Sequence, residues 1–440
     1  LTYDITDEWE INFLSNVSSN KYRLVPQTRE SDFGTVNKAL RLTVYFDGQE
    51  IDQYQTYTGA LAFINHPRNK NLTLKYITSI YRTLEDETFD IEGAYLLDQL
   101  ETDLSKDNFG DVAFNLGVGG FLNHARNYLD ATVYNFEHRG TKIHPADEHS
   151  INKLSAQADW GVKYQYEQIN DYLSEWKLID SAGYLIPQLS PDLVELQDVL
   201  KTQIHLSSNR FTAYLQESWS KQLKDTSEIS LNIGVRGNYW DLNGQFIASP
   251  RVTFSWKPNW EKDILFKAAS GYYYQPPFYR EMRDLYGNVN RDLKAQTSIH
   301  FLLGSDWDFK AWNRPFKFVS EIYYKHLDNL VPYEVDNVRI RYYAKNSARG
   351  YATGIDFKIN GEFVKGVDSW FSLSFLRTRE DIKGDFYLVN YNSDDRIVQR
   401  YVEENYTSRQ ISLMTCSSMV LLHVMCALPI ISVCSAEQVR

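Results

Sequence analysis

The chain of 440 residues has almost no cysteine: the three present are Cys416, Cys426 and Cys434, and the first 415 residues contain none. A disulfide framework or a cysteine-based zinc site is therefore excluded for most of the chain. No apolar secretion signal follows Leu1, so we expect a piece of a longer precursor. The first 410 residues show neither a long amphipathic helical period nor a repeat of 20–50 residues, which counts against solenoids and propellers.

Positive charge is in deficit, with 46 Lys and Arg against 57 Asp and Glu and a net charge of −11. This balance argues against nucleic acid as a partner, because phosphates require a basic footprint. The chain also lacks a nucleophile elbow, a phosphate-binding loop and a zinc-protease motif. The sequence therefore predicts neither an enzyme nor a cofactor.

Tyrosine is abundant, with 31 residues in a chain whose aromatic content is 15%. Its apolar body and polar tip suit a boundary between hydrocarbon and water. Tyrosine is also favoured in the strands of soluble proteins. Composition alone leaves a membrane barrel and a soluble all-β protein open.

Apolar residues recur at every second position in several segments. Four aliphatic side chains alternate with small or polar residues in 229–235, and three apolar residues alternate with serines in 371–375. This period predicts strands with one apolar face. That face points inward in a soluble sandwich and toward lipid in a membrane barrel, so alternation does not separate the two.

Turn and loop signals separate the alternating segments. Three dipeptides predict β-hairpins with two-residue turns: Asp47-Gly48, Asn243-Gly244 and Asn360-Gly361. Residues 138–158 and 171–202 predict long polar connections, and 192–201 predicts a short helix within the second. Connections of this length are uncommon in compact soluble domains and are the rule on one side of outer-membrane barrels. This contrast favours the membrane barrel.

The densest aromatic segment is residues 271–281, with the sequence GYYYQPPFYRE. We predict a strand that ends at Pro276 and Pro277, followed by a loop to Asp292. The aromatic side chains form either a girdle at a membrane rim or a surface that stacks on a solute. Consecutive strand residues face opposite sides, which favours the girdle. The candidate ligand-binding residues are Tyr272, Tyr274, Phe278 and Tyr279.

Two groups of metal-binding residue types lack the spacing of metal sites. The first group, in one polar loop, comprises His138, His144, His149, Asp147 and Glu148. Its histidine intervals do not match compact ligand pairs. The acidic run at residues 85–90 lacks the alternate acidic positions and central glycine of a calcium loop. We predict solvated segments and no metal site.

Several short motifs together resemble the barrel of TonB-dependent outer-membrane receptors, in the form common among Bacteroidetes. The resemblance extends to about residue 405 and is strongest between residues 234 and 380. The motifs that carry it are residues 33–35 (FGT), 45–50 (YFDGQE), 234–236 (GVR), 249–252 (SPRV), 271–281, 292–296 (DLKAQ), 299–304, 321–325 (EIYYK) and 350–356 (GYATGID). Each motif is weak alone, and their order and spacing give the resemblance its specificity.

The resemblance implies an all-β fold: an antiparallel transmembrane β-barrel, present as a fragment of a larger, 22-stranded barrel without its N-terminal plug. It implies a receptor in the outer membrane of a Gram-negative bacterium that takes up a siderophore, glycan, peptide or cobalamin-like solute with energy from TonB. The implied partners are TonB, the solute, outer-membrane lipid and a surface lipoprotein. The alternatives are a non-transporting outer-membrane barrel, serving assembly or adhesion, and a soluble β-rich glycan-binding protein.

The composition changes abruptly near the C-terminus. Residues 411–436 contain no charged residue and no Phe, Trp or Tyr, and three of the four methionines of the chain lie there. The stretch could be a transmembrane helix, a buried hairpin or a foreign reading frame, and Pro429 argues against the helix. We expect residues 1–410 to be receptor barrel and residues 411–440 to be non-native sequence.

Overall fold

The computed structural model describes residues 1–35, 37–67, 71–145, 154–180, 196–336, 339–393, 396–403, 419–426 and 428–435. Strands account for nearly all of this part of the chain. They are β1 (Thr2–Thr6), β2 (Trp9–Leu24), β3 (Arg29–Thr35), β4 (Lys38–Asn65), β5 (Leu72–Leu100), β6 (Val112–His144), β7 (Leu154–Asp180), β8 (Leu196–Gln222), β9 (Glu228–Trp240), β10 (Gln245–Lys257), β11 (Asp263–Gln275), β12 (Gln296–Ala311), β13 (Arg314–Leu330), β14 (Tyr333–Asp336), β15 (Arg339–Tyr342), β16 (Ala348–Val364), β17 (Val367–Ile382), β18 (Phe386–Ser393), β19 (Arg396–Glu403), β20 (Met419–Cys426) and β21 (Leu428–Ser435). A helical turn, α1 (Tyr279–Met282), lies between β11 and β12.

Antiparallel pairing of sequence neighbours builds one large sheet. From β4 to β13 each strand pairs with the next. The sheet continues through β16, β17 and β20, and both β2 and β3 pair with β4. Two small hairpins, β14–β15 and β18–β19, pair separately. The predicted all-β antiparallel fold is confirmed.

The two ends of the sheet differ in their connections. At one end, the short-turn end, the connections are 66–71, 145–153, 223–227, 258–262, 312–313 and 365–366. The opposite, long-loop end carries 101–111, 181–195, 241–244, 276–295 and 331–347. Strands β4 to β8 have 27 to 33 residues, whereas about 10 residues suffice to cross a bilayer. These strands therefore extend far beyond a hydrocarbon layer.

The sheet curves, and the residues between β11 and β12 lie against its concave face. Arg280 contacts Glu85 on β5, and Arg283 contacts Asp171 on β7. Strands β5 and β11 are six positions apart, which is roughly 29 Å along a flat sheet. The contacts across this distance identify the inner face of the sheet.

The outer face is apolar and exposed. Leu303 is 61% exposed, Ile322 50% and Phe375 46%. The inner face of the same strands carries charge: Asp306 accepts from Lys267 at 2.8 Å and forms an ion pair with Lys317 at 3.0 Å. A soluble sandwich would bury these apolar side chains against each other, and the arrangement found here is that of a lipid-facing wall with a polar inside.

Aromatic side chains cluster at the short-turn end, which the sequence analysis did not anticipate. Phe316 packs against Phe309, Trp312 and Phe363, with ring centroids 5.2 to 5.7 Å apart. A second group comprises Trp256, Trp260 and Phe266, each pair 5.8 Å apart. Aromatic rings at the end of a lipid-facing wall form an interfacial girdle. The segment predicted as a girdle, 271–281, lies at the opposite end.

Two of the three predicted hairpin turns are wrong. Gly48 lies within β4, paired with Ile91, and Gly361 lies within β16, paired with both Phe316 and Ser369. Gly361 is paired on both sides, and these hydrogen bonds outweigh the local turn preference. Gly48 is paired with β5, between the segments of β4 that pair with β3 and with β2. The dipeptide Asn243-Gly244 does lie in a turn, but that turn has four residues, because Gln245 pairs with Trp240.

The predicted long connections are shorter than expected. Strand β6 continues to His144, β7 begins at Leu154, and β7 and β8 extend the sheet into residues 171–180 and 196–202. The helix predicted over 192–201 is wrong for residues 196–201, which belong to β8, and its first four residues lie outside the described residues. Long-range pairing replaced the weak helical period in this segment.

The C-terminal segment forms strands where it is described. Strand β20 pairs with β17 on one side and with β21 on the other. The helical interpretation of this segment is therefore wrong for residues 419–426 and 428–435. Over the described part of the chain, no helix has the length and apolar character needed to cross a membrane.

Candidate functional site

Residues 276–295, which we call the inner loop, leave β11 and fold onto the inner face. Pro276 and Pro277 end the strand because neither can donate to a sheet ladder. Inside α1 the carboxylate of Glu281 accepts from Phe278 N at 2.9 Å and from Gln296 Nε2 at 2.9 Å. Glu281 is 7% exposed, and this burial raises the pKa of its carboxyl.

A small apolar core holds the inner loop to the sheet. It comprises Trp240 at the end of β9, Met282 and Leu293 from the inner loop, and Val331 after β13. Each of these side chains is at most 5% exposed. The guanidinium of Arg210 lies 4.1 Å from the centre of the Trp240 ring. Burial of these four apolar side chains stabilises the attachment of the inner loop to the sheet.

Charged contacts fix the inner loop to β5 and β7. The hydroxyl of Tyr279 donates to Asp171 Oδ2 at 2.6 Å, and Arg283 donates to the same oxygen at 2.5 Å. Arg280 donates to Glu85. The side chain of Asp171 is 4% exposed. Burial, followed by the charge of Asp171, raises the pKa of the Tyr279 hydroxyl, so this group remains a hydrogen-bond donor.

A second segment, residues 331–347 with the β14–β15 hairpin, adjoins the inner loop. Arg341 forms an ion pair with Glu175 of β7 at 3.4 Å. Asn290 of the inner loop donates to Ala344 O at 2.8 Å, and Asn346 donates to Lys294 O at 2.9 Å. The two segments therefore form one unit on the inner face.

A polar pocket of about 420 Å³ lies between this unit and the sheet. Its wall is acidic, and its loop side supplies arginine and tyrosine. The charged residues that line it are Glu50, Asp52, Glu85, Glu87, Asp171, Glu175, Arg280, Arg283, Asp284 and Arg341. Such a set can bind a polar solute through charge-assisted hydrogen bonds of both signs.

The predicted metal-binding groups are dispersed by the sheet. In the acidic run, Glu85 and Glu87 line the pocket, whereas Asp90 binds His124 at 2.6 Å and Arg126 at 2.5 Å. Glu87 also lies in a group with Glu50 and Asp52 whose carboxylate oxygens are within 4.8 Å of one another.

The predicted histidine group is also dispersed. His138 lies in β6 with its ring 4.8 Å from the ring of Tyr76, and His144 is the last residue of the same strand. The other three members of that group, His149, Asp147 and Glu148, lie outside the described residues.

The four candidate ligand-binding residues occupy different environments. Tyr279 lines the pocket. Phe278 is 63% exposed. Tyr272 pairs with Ile299, which lies on the outer face, and Tyr274 lies close to Arg236. The structure brings Tyr279 alone of the four to the pocket, and a role for any of them in ligand binding stays a prediction.

Sequence reasoning missed the wall of the pocket. Asp171 is 108 residues from Tyr279, and Arg280 is 195 residues from Glu85. The acidic residues 50, 52, 85 and 87 alternate along β4 and β5, which is a readable signal for one shared face. Nothing local indicates which loop covers that face.

Comparison with known proteins gives a family match. A family model described as TonB dependent receptor-like, beta-barrel matches residues 4–407. The search of curated proteins found no match.

Similar solved structures share little sequence with the chain. The outer membrane transporter YddB from Escherichia coli is 12% identical, with a TM-score of 0.43, and the match covers 94% of this chain and 61% of YddB. The siderophore receptor PirA from Pseudomonas aeruginosa is 10% identical, with a TM-score of 0.42, and the match covers 96% of this chain and 73% of PirA. A chain of the RagAB peptide transporter is 10% identical, with a TM-score of 0.41, and the match covers 93% of this chain and 60% of the RagAB chain. The chain therefore spans less than two thirds of YddB and of the RagAB chain.

Proposed function

The chain belongs to the TonB dependent receptor-like β-barrel family, and on that premise we propose that it is part of a receptor that takes up a scarce solute with energy from TonB. It is an outer-membrane protein of a Gram-negative bacterium. The observation that carries the proposal is the polar pocket on the inner face, covered by loops that fold inward. A barrel wall alone would need no such assembly of buried charge.

The solute binds, in this proposal, between the acidic wall and the arginines of the loop unit. Arg280 lines the pocket with its side chain 60% exposed, so it can exchange its contact with Glu85 for a contact with the solute. Tyr279 contributes a hydroxyl that stays protonated, because its pKa is raised. The long-loop end faces the exterior, as in bacterial barrels generally. TonB and a surface lipoprotein are the proposed protein partners.

Uptake by the full-length protein in its own cells tests the proposal. We expect a deletion strain to lose growth on one limiting nutrient and to regain this growth when the full-length gene is restored. In a strain that also lacks TonB, the restored gene should not recover growth. Complementation that is equally good without TonB would favour the non-transporting barrel. Growth unaffected by deletion on every limiting nutrient would contradict uptake.

A matched pair of arginine variants tests the pocket. Arg280→Ala removes a pocket contact, whereas Arg82→Ala removes an exposed, bidentate ion pair with Asp130 outside the pocket. We expect the first to lower the uptake rate several-fold and the second to leave it unchanged. Equal rates for the two variants would place the solute elsewhere.

The domain division also stays a proposal: residues 1–410 form receptor barrel and residues 411–440 are foreign sequence. The family match ends at residue 407, which supports the division. Resequencing the gene and its transcript across this junction tests it. A transcript that encodes the same tail in frame would contradict it.

A further inference from the structure

A second, larger cavity lies on the inner face beside the polar pocket. It has a volume of about 820 Å³, within the range of small-molecule sites. Glu50, Glu175 and Arg341 line both cavities. The rest of the second cavity is mostly aliphatic and aromatic, so we call it the apolar groove. It is lined by Leu42, Val44, Phe46, Phe89, Ile91 and Phe121, among others.

Strand register explains the position of the groove. Phe46 pairs with Gly93, Gly93 with Phe121, and Phe121 with Ile179, so these four residues form one row across β4 to β7. Paired residues share a face, and the inner face recurs every second residue. This row is therefore on the same face as the pocket acids.

The next rows along the strands become polar. Two residues from Gly93 along β5, Ile91 pairs with Asn123 of β6. Two residues further along β5, Phe89 pairs with Glu50 of β4. The following row contains Asp52 and Glu87, which line the polar pocket. Rows are about 7 Å apart along a strand. The inner face thus changes from apolar at the long-loop end to acidic over roughly 20 Å.

The aromatic wall of the groove is built around one glycine. A Cβ on Gly93 would lie 2.3 Å from the ring of Phe121, so the ring occupies the space above the glycine. The Phe121 and Phe46 rings pack edge to face with centroids 6.0 Å apart. In the same wall, the Oδ1 atom of Asn123 is buried with no hydrogen-bond partner in the described part of the chain. A buried acceptor of this kind requires a partner.

We infer that the solute carries an apolar group, aliphatic or aromatic, that occupies the apolar groove while its polar part reaches the Glu175–Arg341 pair. The inference rests on the proposed function and adds the chemical class of the solute. Phe46, Phe89 and Phe121 then determine specificity. A solute that is polar throughout would leave the groove hydrated and would gain nothing from this wall.

Binding of a defined probe to the full-length receptor in lipid nanodiscs tests the inference. The probe is N-acetylphenylalaninamide, its polar counterpart is N-acetylserinamide, and saturation-transfer NMR with empty nanodiscs as background reports binding. We expect saturable binding of the phenylalanine probe only. Phe121→Ala should weaken it roughly tenfold, by the loss of part of one buried ring contact.

Two further variants make the result specific. Leu122→Ala changes the adjacent residue, which alternation places on the other face of β6, and should leave probe affinity unchanged. Gly93→Ala keeps every groove side chain but displaces the Phe121 ring, and should weaken binding as Phe121→Ala does. Altered migration of unheated protein on a gel identifies a variant that has failed to fold.

The outcomes separate this inference from the uptake proposal. Equal binding of the two probes, or equal affinity of wild type and both groove variants, overturns the inference even if uptake requires TonB. Absence of any saturable binding also overturns it, as expected if a segment of this chain outside the described residues fills the groove. Groove-dependent binding without TonB-dependent uptake would leave the inference intact and refute the proposed transport.

Discussion

Replacing Asp171 by asparagine should loosen the inner loop. The carboxylate accepts from Tyr279 at 2.6 Å and from Arg283 at 2.5 Å, and its side chain is 4% exposed. Hydrogen bonds to a charged group contribute about 1.5–3 kcal/mol each. The amide retains one acceptor oxygen but no charge, so the guanidinium of Arg283 loses its counter-charge. We expect a loss of about 3 kcal/mol, near the lower limit for breaking a buried pair.

Hydrogen exchange measures this effect directly. At about 1.4 kcal/mol per factor of ten, amides of residues 276–295 in Asp171→Asn should exchange roughly a hundredfold faster in the intact protein. The control is Asp130→Asn, which removes the bidentate partner of Arg82 where both side chains are at least 36% exposed. Exposed pairs contribute at most about 1 kcal/mol, and the inner loop should not respond.

A double-mutant cycle tests the proposed cause. Tyr279→Phe removes one hydrogen bond to a charged group and should cost about 1.5–3 kcal/mol alone. Combined with Asp171→Asn it should cost less than the sum, because both changes remove the same contact. Strict additivity, or exchange in Asp171→Asn within twofold of wild type, would refute the assignment of the loop anchor to Asp171.

Three further predictions concern the loop core, its buried acid and the aromatic girdle. Trp240→Ala should cost about 3–5 kcal/mol of inner-loop protection, whereas Tyr239→Ala, 40% exposed on the outer face, should leave hydrogen exchange of the loop unchanged. Because burial raises the pKa of Glu281, the folded loop favours the protonated acid. Protection of the loop amides against hydrogen exchange should therefore fall as pH rises through that pKa. Glu281→Gln should abolish this pH dependence when exchange is measured over a series of pH values. Gly361→Ala places a Cβ 2.3 Å from the Phe316 ring and should lower the melting temperature, whereas Gly59→Ala, with its nearest neighbour at 3.5 Å, should not.

Strands were predictable from the sequence because their signal is local. The alternation in residues 229–235 and 371–375 depends only on which side chains share a face, and β9 and β17 contain these segments. Turn dipeptides failed where tertiary pairing opposed them. At Gly48 a Cβ would lie 1.9 Å from the carbonyl oxygen of Asp90, so this glycine allows close approach of β5 rather than a turn.

The pocket was less predictable because its parts meet through register and loop folding. Tyr279 drew attention as an aromatic residue, yet its partner Asp171 belonged to a segment predicted as a loop. Residues 171–180 contain four charged residues, and this frequency of charge is typical of a loop in a soluble protein. On the inner face of a barrel wall it is the composition expected of a strand.

The anchoring of the inner loop determines how the pocket can act. Moving the loop away would separate Arg283 from Asp171 and expose Met282 and Leu293, each 1% exposed in the folded state. Breaking one buried ion pair costs about 3–5 kcal/mol. This cost is about half of the roughly 8 kcal/mol that a micromolar dissociation constant represents. In the proposed receptor, the solute therefore meets a pocket that is already assembled and does not have to order the loop itself. Such preorganisation favours tight binding of a dilute solute, and in the proposed uptake it makes release dependent on a force applied from elsewhere in the receptor.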